Sequence, residues 1–235
     1  MYVLGVDVET TGLSSESDKI IEIGAVVWDT EVDKPIAILS HLININKSTS
    51  DVIRLSNKII QLTDITDIDL DIFGVEEQQA LTELLTLVDK CDYIVAHNGN
   101  KFDKPFIDNA LKTHGLVIDK PWIDSLYDVP YNESIKSKKL TELAIHHDCP
   151  NDYSHRAVFD VLTMLRVCSY YDWQEIIDLQ KIPVITIVAN ISDKESEEAK
   201  SAGFYFDRNT SQWKKKIKEI QLNSLCYSFE CSVCS

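Results

Sequence analysis

The sequence predicts a mixed α/β fold, a sheet flanked by helices, followed by a small β-α-β-β module. Three observations predict it. Residues 2–43 hold three apolar runs with short polar connections, residues 76–168 alternate helical stripes with a β-branched run, and a polar break at 178–183 precedes a fresh strand pattern.

The first runs are YVLGVDVE (2–9), IIEIGAVVW (20–28) and IAILSHLI (36–43). Gly12, Ser14, Ser15, Asp33 and Pro35 lie in the links between them, which are short enough for an antiparallel meander. Over 76–90, Ala80, Leu81, Leu84, Leu85 and Val88 form the stripe of an amphipathic helix. The short apolar run YIVAHN then suits a buried strand. A second helix is expected from near Pro105, which tolerates a first helical turn, through Phe106, Ile107, Ala110 and Leu111 to a stop at Gly115. Segments 138–147 and 155–168 also look helical, the latter with Ala157, Val158, Val161, Leu162 and Leu165 on one face. Beyond the break, VITIVAN is a strand, Asp193 can cap a short helix ending at Gly203, and FYFD-RNTS-QWKKKIK looks like a hairpin. The expected organisation is a main domain over 1–178, a small accessory module over 182–219 and a cysteine-containing tail over 220–235.

Hydrophobic residues at 44% and charged residues at 26% are ordinary for a soluble globular chain. The opening MYVLGVDVE lacks the basic region of a signal peptide, and no stretch approaches the about 18 apolar residues of a membrane span. A cytoplasmic location without membrane partners is expected. A net charge of -15 argues against non-specific coating of nucleic acid, which needs cations to displace phosphate counterions. It is compatible with an enzyme whose clustered acids hold divalent ions. The charge is uneven: residues 182–219 carry seven basic against six acidic side chains, whereas 1–181 carry 16 against 31. Cys91, Cys149 and Cys168 fit small buried thiols. Cys226, Cys231 and Cys234 have part of an iron–sulfur spacing but want a fourth ligand, so a frayed, reduced tail is expected.

Three pieces of sequence carry chemistry. Asp7 and Glu9, two apart on a strand, project to one face with Val3 and Gly5, while Leu4, Val6 and Val8 face the other way. Two carboxylates so placed repel each other unless a cation offsets them. Asp103, in VAHNGNKFDKPFI, follows a strand and precedes a helix, where it can equally serve as an N-cap. In SHRAVFDV, His155 and Asp160 would stand about 140° apart on an ideal helix. His155 must therefore lie at or before the first turn if both are to meet at one point. Each residue taken singly also fits an ordinary surface role.

Together, DVET, HNGNKFD and HRAVFD resemble, in this order, the three motifs of the DEDDh exonucleases. That family includes the proofreading epsilon subunit of DNA polymerase III, ribonuclease T and oligoribonuclease. TDIT (63–66), DSL (124–126) and KLTELA (139–144) also look like the family, and the likeness covers roughly residues 1–170. It implies a ribonuclease-H-like fold and a 3′→5′ exonuclease. Asp7 would bridge two Mg²⁺ or Mn²⁺ ions, Glu9, Asp103 and Asp160 would complete their shells, and His155 would deprotonate the attacking water. All-oxygen ligands favour such hard ions, and an imidazole titrating near neutrality suits the proton transfer. Thr10, Thr11, Gly12, Leu13, His97, Asn98 and Phe102 would bind the terminal nucleotide, although Phe102 fits a core position equally well. Lys101, Lys104, Lys136, Lys138, Lys139 and Arg156 are the nearest candidates for phosphate contacts. The implied substrate is a single-stranded 3′ end, DNA before RNA, degraded to nucleoside monophosphates, with a polymerase as a possible partner. An RNA-trimming exoribonuclease and a non-catalytic, polymerase-associated binding module are the alternatives.

The C-terminal segment EEAKSAGFYFDRNTSQWKKKIK resembles small modules found in nucleic-acid-processing proteins, with Phe206 where a Trp is common. Trp213 beside Lys214, Lys215 and Lys216 can combine stacking with phosphate attraction, or the lysines can simply keep a hairpin edge soluble.

Overall fold

The computed structural model describes residues 1–47, 52–132, 135, 137–192 and 195–234, so Lys136 and the Asp193 cap lie outside the described residues. The three early runs form β1 (Tyr2–Thr10), β2 (Ile20–Asp29) and β3 (Lys34–Leu42), paired as the expected antiparallel meander. Two seven-residue helices follow, α1 (Asn57–Thr63) and α2 (Asp67–Phe73), the second opened by a Thr66–Asp69 capping box. They close a satellite cluster of Ile21, Leu55, Ile65 and Leu70. Neither was expected, because two turns give too little apolar periodicity to detect.

Helix α3 (Glu77–Val88) leads into β4 (Tyr93–Ala96), which lies parallel to β1, and α4 (Asp103–Thr113) leads towards β5 (Trp122–Asp124), parallel to β4. The sheet order is β3-β2-β1-β4-β5. After β5 come α5 (Ser125–Asp128), α6 (Leu140–His146), α7 (Ala157–Cys168) and α8 (Trp173–Gln180). The expected alternation of β1 holds. Leu4, Val6 and Val8 enter a core shared with α3 and α4, while Val3 belongs to the opposite core beneath α7 and α8. Helix α8, which the sequence reading did not anticipate, runs beyond the expected boundary at 178 and contributes Trp173, Ile176 and Ile177 to that second core.

A second sheet has the order β7-β8-β6-β9, built from β6 (Val184–Asn190), β7 (Tyr205–Asp207), β8 (Gln212–Lys218) and β9 (Glu230–Val233), with α9 (Ser196–Ser201) between β6 and β7. The expected frayed tail is corrected here. Its residues 230–233 pair antiparallel with β6, and Tyr227 and Phe229 stack 5.2 Å apart and pack beside Phe204. Those aromatics supply the apolar surface that the cysteine spacing had obscured, and none of the described cysteines forms a disulfide. The lysine run of β8 is largely committed internally. Lys214 pairs with Asp207 at 2.8 Å, and Lys215 donates to the Ala202 carbonyl at 2.7 Å and to the Tyr227 hydroxyl at 3.0 Å. Lys218 is buried, and Lys216 is exposed. No helix among the described residues is long and apolar enough to cross a membrane.

Candidate active site

Asp7 and Glu9 lie near the end of β1, on the face that α7 covers. Glycines bring that helix close. A methyl group on Gly24 of β2 would stand 2.3 Å from the Val158 nitrogen, and one on Gly5 of β1 would stand 2.6 Å from Val161 Cγ1. His155 precedes α7 with a left-handed φ of 64°. Its N–H donates to Asp160 Oδ2 at 2.9 Å, and Asn151 Nδ2 donates to Asp160 Oδ1 at 2.7 Å. This turn resolves the angular problem posed by the sequence, because the imidazole leaves the chain before the helix begins. Glu9, His155 and Asp160 each offer a ligand atom, and these atoms all lie within 4.8 Å of one another.

Asp103 arrives from the other side of the sheet. It is the first residue of α4, so the alternative of an Asp103 N-cap is set aside: the N-cap residue is Phe102, with no side-chain cap bond. The Asp103 carboxylate instead accepts from the Val8 N–H at 3.1 Å, between Asp7 and Glu9 in sequence, so its position is tied to the acid-bearing strand.

The electrostatics of this cluster follow from carboxylates crowded in a poorly hydrated place. Burial pushes Asp7 well above the usual carboxylate range, and the negative charges of Asp103, Glu9, Asp160 and Glu22 push it further. Burial first, then Asp160, Glu22 and Asp103, raises Glu9 to about 8. Asp103 is raised to about 7, chiefly by burial, against the N–H bonds from Val8 and its own backbone. Burial also raises Asp160, opposed by the His155 N–H. Arg156, the neighbouring cation, pairs with Glu22 at 2.9 Å and only partly offsets these charges at Glu9. Such a set fits a divalent cation: hard oxygen donors with one imidazole, whose mutual repulsion a double positive charge would relieve.

Two supporting acids were not predicted as site residues: Glu22, and Asp124, whose DSL stretch looked like the family but carried no assigned role. Glu22, fully buried on β2 and opposite Glu9 in register, accepts from Arg156 Nε at 3.1 Å, Arg156 Nη2 at 2.9 Å and the Ala157 N–H at 3.0 Å. It fastens the start of α7 to the sheet. Its signal was a lone acid inside the apolar run IIEIGAVVW. Asp124, at the end of β5, accepts from the Asn98 N–H at 2.8 Å and the Asn100 N–H at 3.3 Å, and so holds the loop leading to Asp103.

The residues expected to bind nucleotide occupy varied settings. Thr10 is buried and donates to the Gly12 carbonyl at 2.6 Å, and Thr11 Oγ1 accepts from the Lys19 N–H at 2.9 Å, so both hydroxyls shape the turn after β1. Gly12 sits against Asp18, whose Oδ2 would be 2.4 Å from an added methyl group. Leu13 projects into solvent, 85% exposed. His97 bridges Ser125 Oγ at 2.8 Å and the Lys138 carbonyl at 2.9 Å. A carbonyl only accepts, so Nε2 carries the proton and Nδ1 accepts from Ser125. Burial lowers the His97 pKa to about 4. Asn98 has a left-handed φ of 62°, and half-buried Phe102 lies 5.0 Å from the Phe106 ring. Of the phosphate candidates, Lys104 pairs with Asp108, Lys138 donates to the Leu126 carbonyl at 3.2 Å, and Lys139 lies 3.8 Å from Glu142. Lys101 is exposed.

Residues 4–168 match the family profile RNase_T, described as "Exonuclease". The chain belongs to this exonuclease family. The family match and the polymerase relatives place it with the DnaQ-like 3′→5′ exonucleases, which are divalent-metal-dependent nuclease hydrolases. The PolC-type DNA polymerase III of Staphylococcus aureus is 35% identical over 162 residues, covering 66% of this exonuclease chain and 10% of the polymerase. That of Mycoplasma genitalium is 28% identical over 176 residues, covering 72% of the chain and 11% of the polymerase. The exonuclease chain thus spans about a tenth of the length of these relatives. Among solved structures, the zinc-bound complex of E. coli exonuclease I with single-stranded DNA superposes with TM-score 0.64 at 17% identity, covering 82% of this chain and 48% of that one. The nuclease domain of 3′hExo, a DEDDh family member bound to rAMP, gives 0.57 at 22% identity, covering 72% and 90%. At these identities the structural likeness shows the ribonuclease-H-like fold.

Proposed function

We propose that this exonuclease trims single-stranded 3′ ends, DNA in preference to RNA, and releases nucleoside monophosphates with two Mg²⁺ or Mn²⁺ ions and His155 as general base. The observation that carries the reading is the convergence of Asp7, Glu9, Asp103 and Asp160 with His155, from three separate parts of the chain, at one end of β1. Asp7, Glu9, Asp103 and Asp160 would hold the ions, which supply charge neutralisation for the phosphodiester and acidify the attacking water. His155 accepts the proton of that water, its ring aimed by the left-handed turn and the backbone bond to Asp160. Exposed Leu13 offers an apolar surface for the terminal base, while Thr10, Thr11 and Gly12 fix the turn that presents it. His97 and Asn98 act in this reading by shaping the wall of the nucleotide site, and Phe102 packs beneath it.

The polymerase relatives and the DNA complex of exonuclease I favour DNA and association with a replicative polymerase, whereas the rAMP bound to 3′hExo favours an RNA-trimming alternative. A non-catalytic binding module would be expected to lack one of the acids, and all four are present. The test is incubation with Mg²⁺ and 5′-labelled single strands of DNA and RNA, each with a free or blocked 3′ terminus. A ladder shortening from free DNA 3′ ends is expected. Internal cuts, or no cleavage with any divalent ion, would overturn the reading, and a ladder on RNA alone would establish the alternative.

A further inference from the structure

We propose that the C-terminal sheet is a positioning element for the nuclease site, and that Lys218 is its point of action. Lys218 ends β8 with 4% of its side chain exposed, donates to the Ile182 carbonyl at 2.8 Å, and forms an ion pair with Asp128 Oδ1 of α5, itself 4% exposed. The other Asp128 oxygen accepts from the Asp124 N–H at 2.7 Å. Asp124 in turn holds the N–H groups of Asn98 and Asn100, and the Asn98 carbonyl accepts from the Lys101 and Phe102 N–H groups at 3.1 and 3.2 Å. The Lys104 N–H closes on the Gly99 carbonyl at 2.9 Å. The loop delivering Asp103 is therefore defined by a continuous run of bonds that begins in the second sheet.

Buried ion pairs add little to stability compared with apolar packing, but loss of one partner leaves an uncompensated charge. Here that charge would be Asp128, directly behind a second buried carboxylate, Asp124. Without Lys218 the two acids repel, and the loop they anchor must move. The partners of Lys214, Lys215 and Lys218 leave Lys216 as the exposed lysine of the β8 run, so this sheet is better equipped to brace the site than to grip a strand.

The proposal rests on Asp103 being a cation-holding acid, so Asp103→Asn is measured in parallel in the full chain. Lys218→Met and Lys218→Arg are compared by thermal melting, by the Mn²⁺ dependence of the rate, by separate kcat and KM for one oligonucleotide, and by hydrogen exchange of segment 97–103. For Lys218→Met the Mn²⁺ needed for half-maximal rate should rise about tenfold or more, in line with other residues that orient metal ligands. Its kcat should fall with KM unchanged, and segment 97–103 should exchange faster, with recovery in Lys218→Arg. If Lys218→Met does not fold, Asp128→Asn carries the same readouts. A folded variant with the original Mn²⁺ dependence and protection overturns the proposal. So does a raised KM with unchanged Mn²⁺ dependence, which would assign the sheet to substrate grip. Full activity in Asp103→Asn would instead remove the site reading beneath it.

Discussion

His155 holds a backbone conformation that costs a non-glycine residue about 1–2 kcal/mol. The bond from its N–H to Asp160 offsets part of that cost, and the result is an imidazole placed beside Glu9 rather than one turn along α7. Replacing His155 with Ala should lower kcat by about 10²–10⁴, the usual weight of a positioned proton acceptor, and leave KM nearly unchanged in steady-state assays. An unaltered kcat would remove His155 from the reaction. That the acids and this imidazole would come together was legible from three stretches occurring in one order, DVET, HNGNKFD and HRAVFD, and not from any one residue alone. The roles of Glu22 and Asp124 were not legible, because they depend on partners far along the chain: Glu22 meets Arg156 across 134 positions, and Asp124 meets Asn98 across 26. No local pattern announces such a pairing.

At the scale of elements, the site depends on how closely α7 approaches β1 and β2. Gly24 faces the backbone of Ala157 and Val158, which cannot swing aside as a flexible side chain can. Gly24→Ala should therefore destabilise the protein by about 1–3 kcal/mol in urea melts. It should also cost about a hundredfold in kcat, because the helix carrying Asp160 must shift. A variant as active and stable as the parent would show that the helix start has room to spare. The alternation of β1, the strand runs of β2 and β3 and the stripes of α3, α4 and α7 were readable from spacing alone. The short helices α1, α2 and α5 were not, since so few residues carry little period, and the lysines of β8 looked solvated because a run of charge conceals which members find partners inside.

Over the whole molecule, the acid cluster sets an unusual pH dependence. Glu9 and Asp103 bind their protons more tightly in the folded chain, up to about 8 and about 7, than they would unfolded. The folded state thus carries the extra protons, and stability falls as pH rises through that window. Metal-free protein should show a Tm that declines between about pH 5 and about pH 8. Mg²⁺ should restore it mainly at the upper end, where the carboxylates are free to bind the ion. A metal-free Tm that climbs with pH would contradict these shifted acids.

The seating of α7 on the Gly5 and Gly24 floor also has a consequence in time. Asp7, Glu9 and Asp103 precede His155 and Asp160 in the chain and leave the ribosome first, before the helix that carries Asp160 can dock. We predict that polypeptides stalled on the ribosome before Ala157 cleave no single-stranded DNA. Cleavage by such stalled intermediates would show that the early acids suffice.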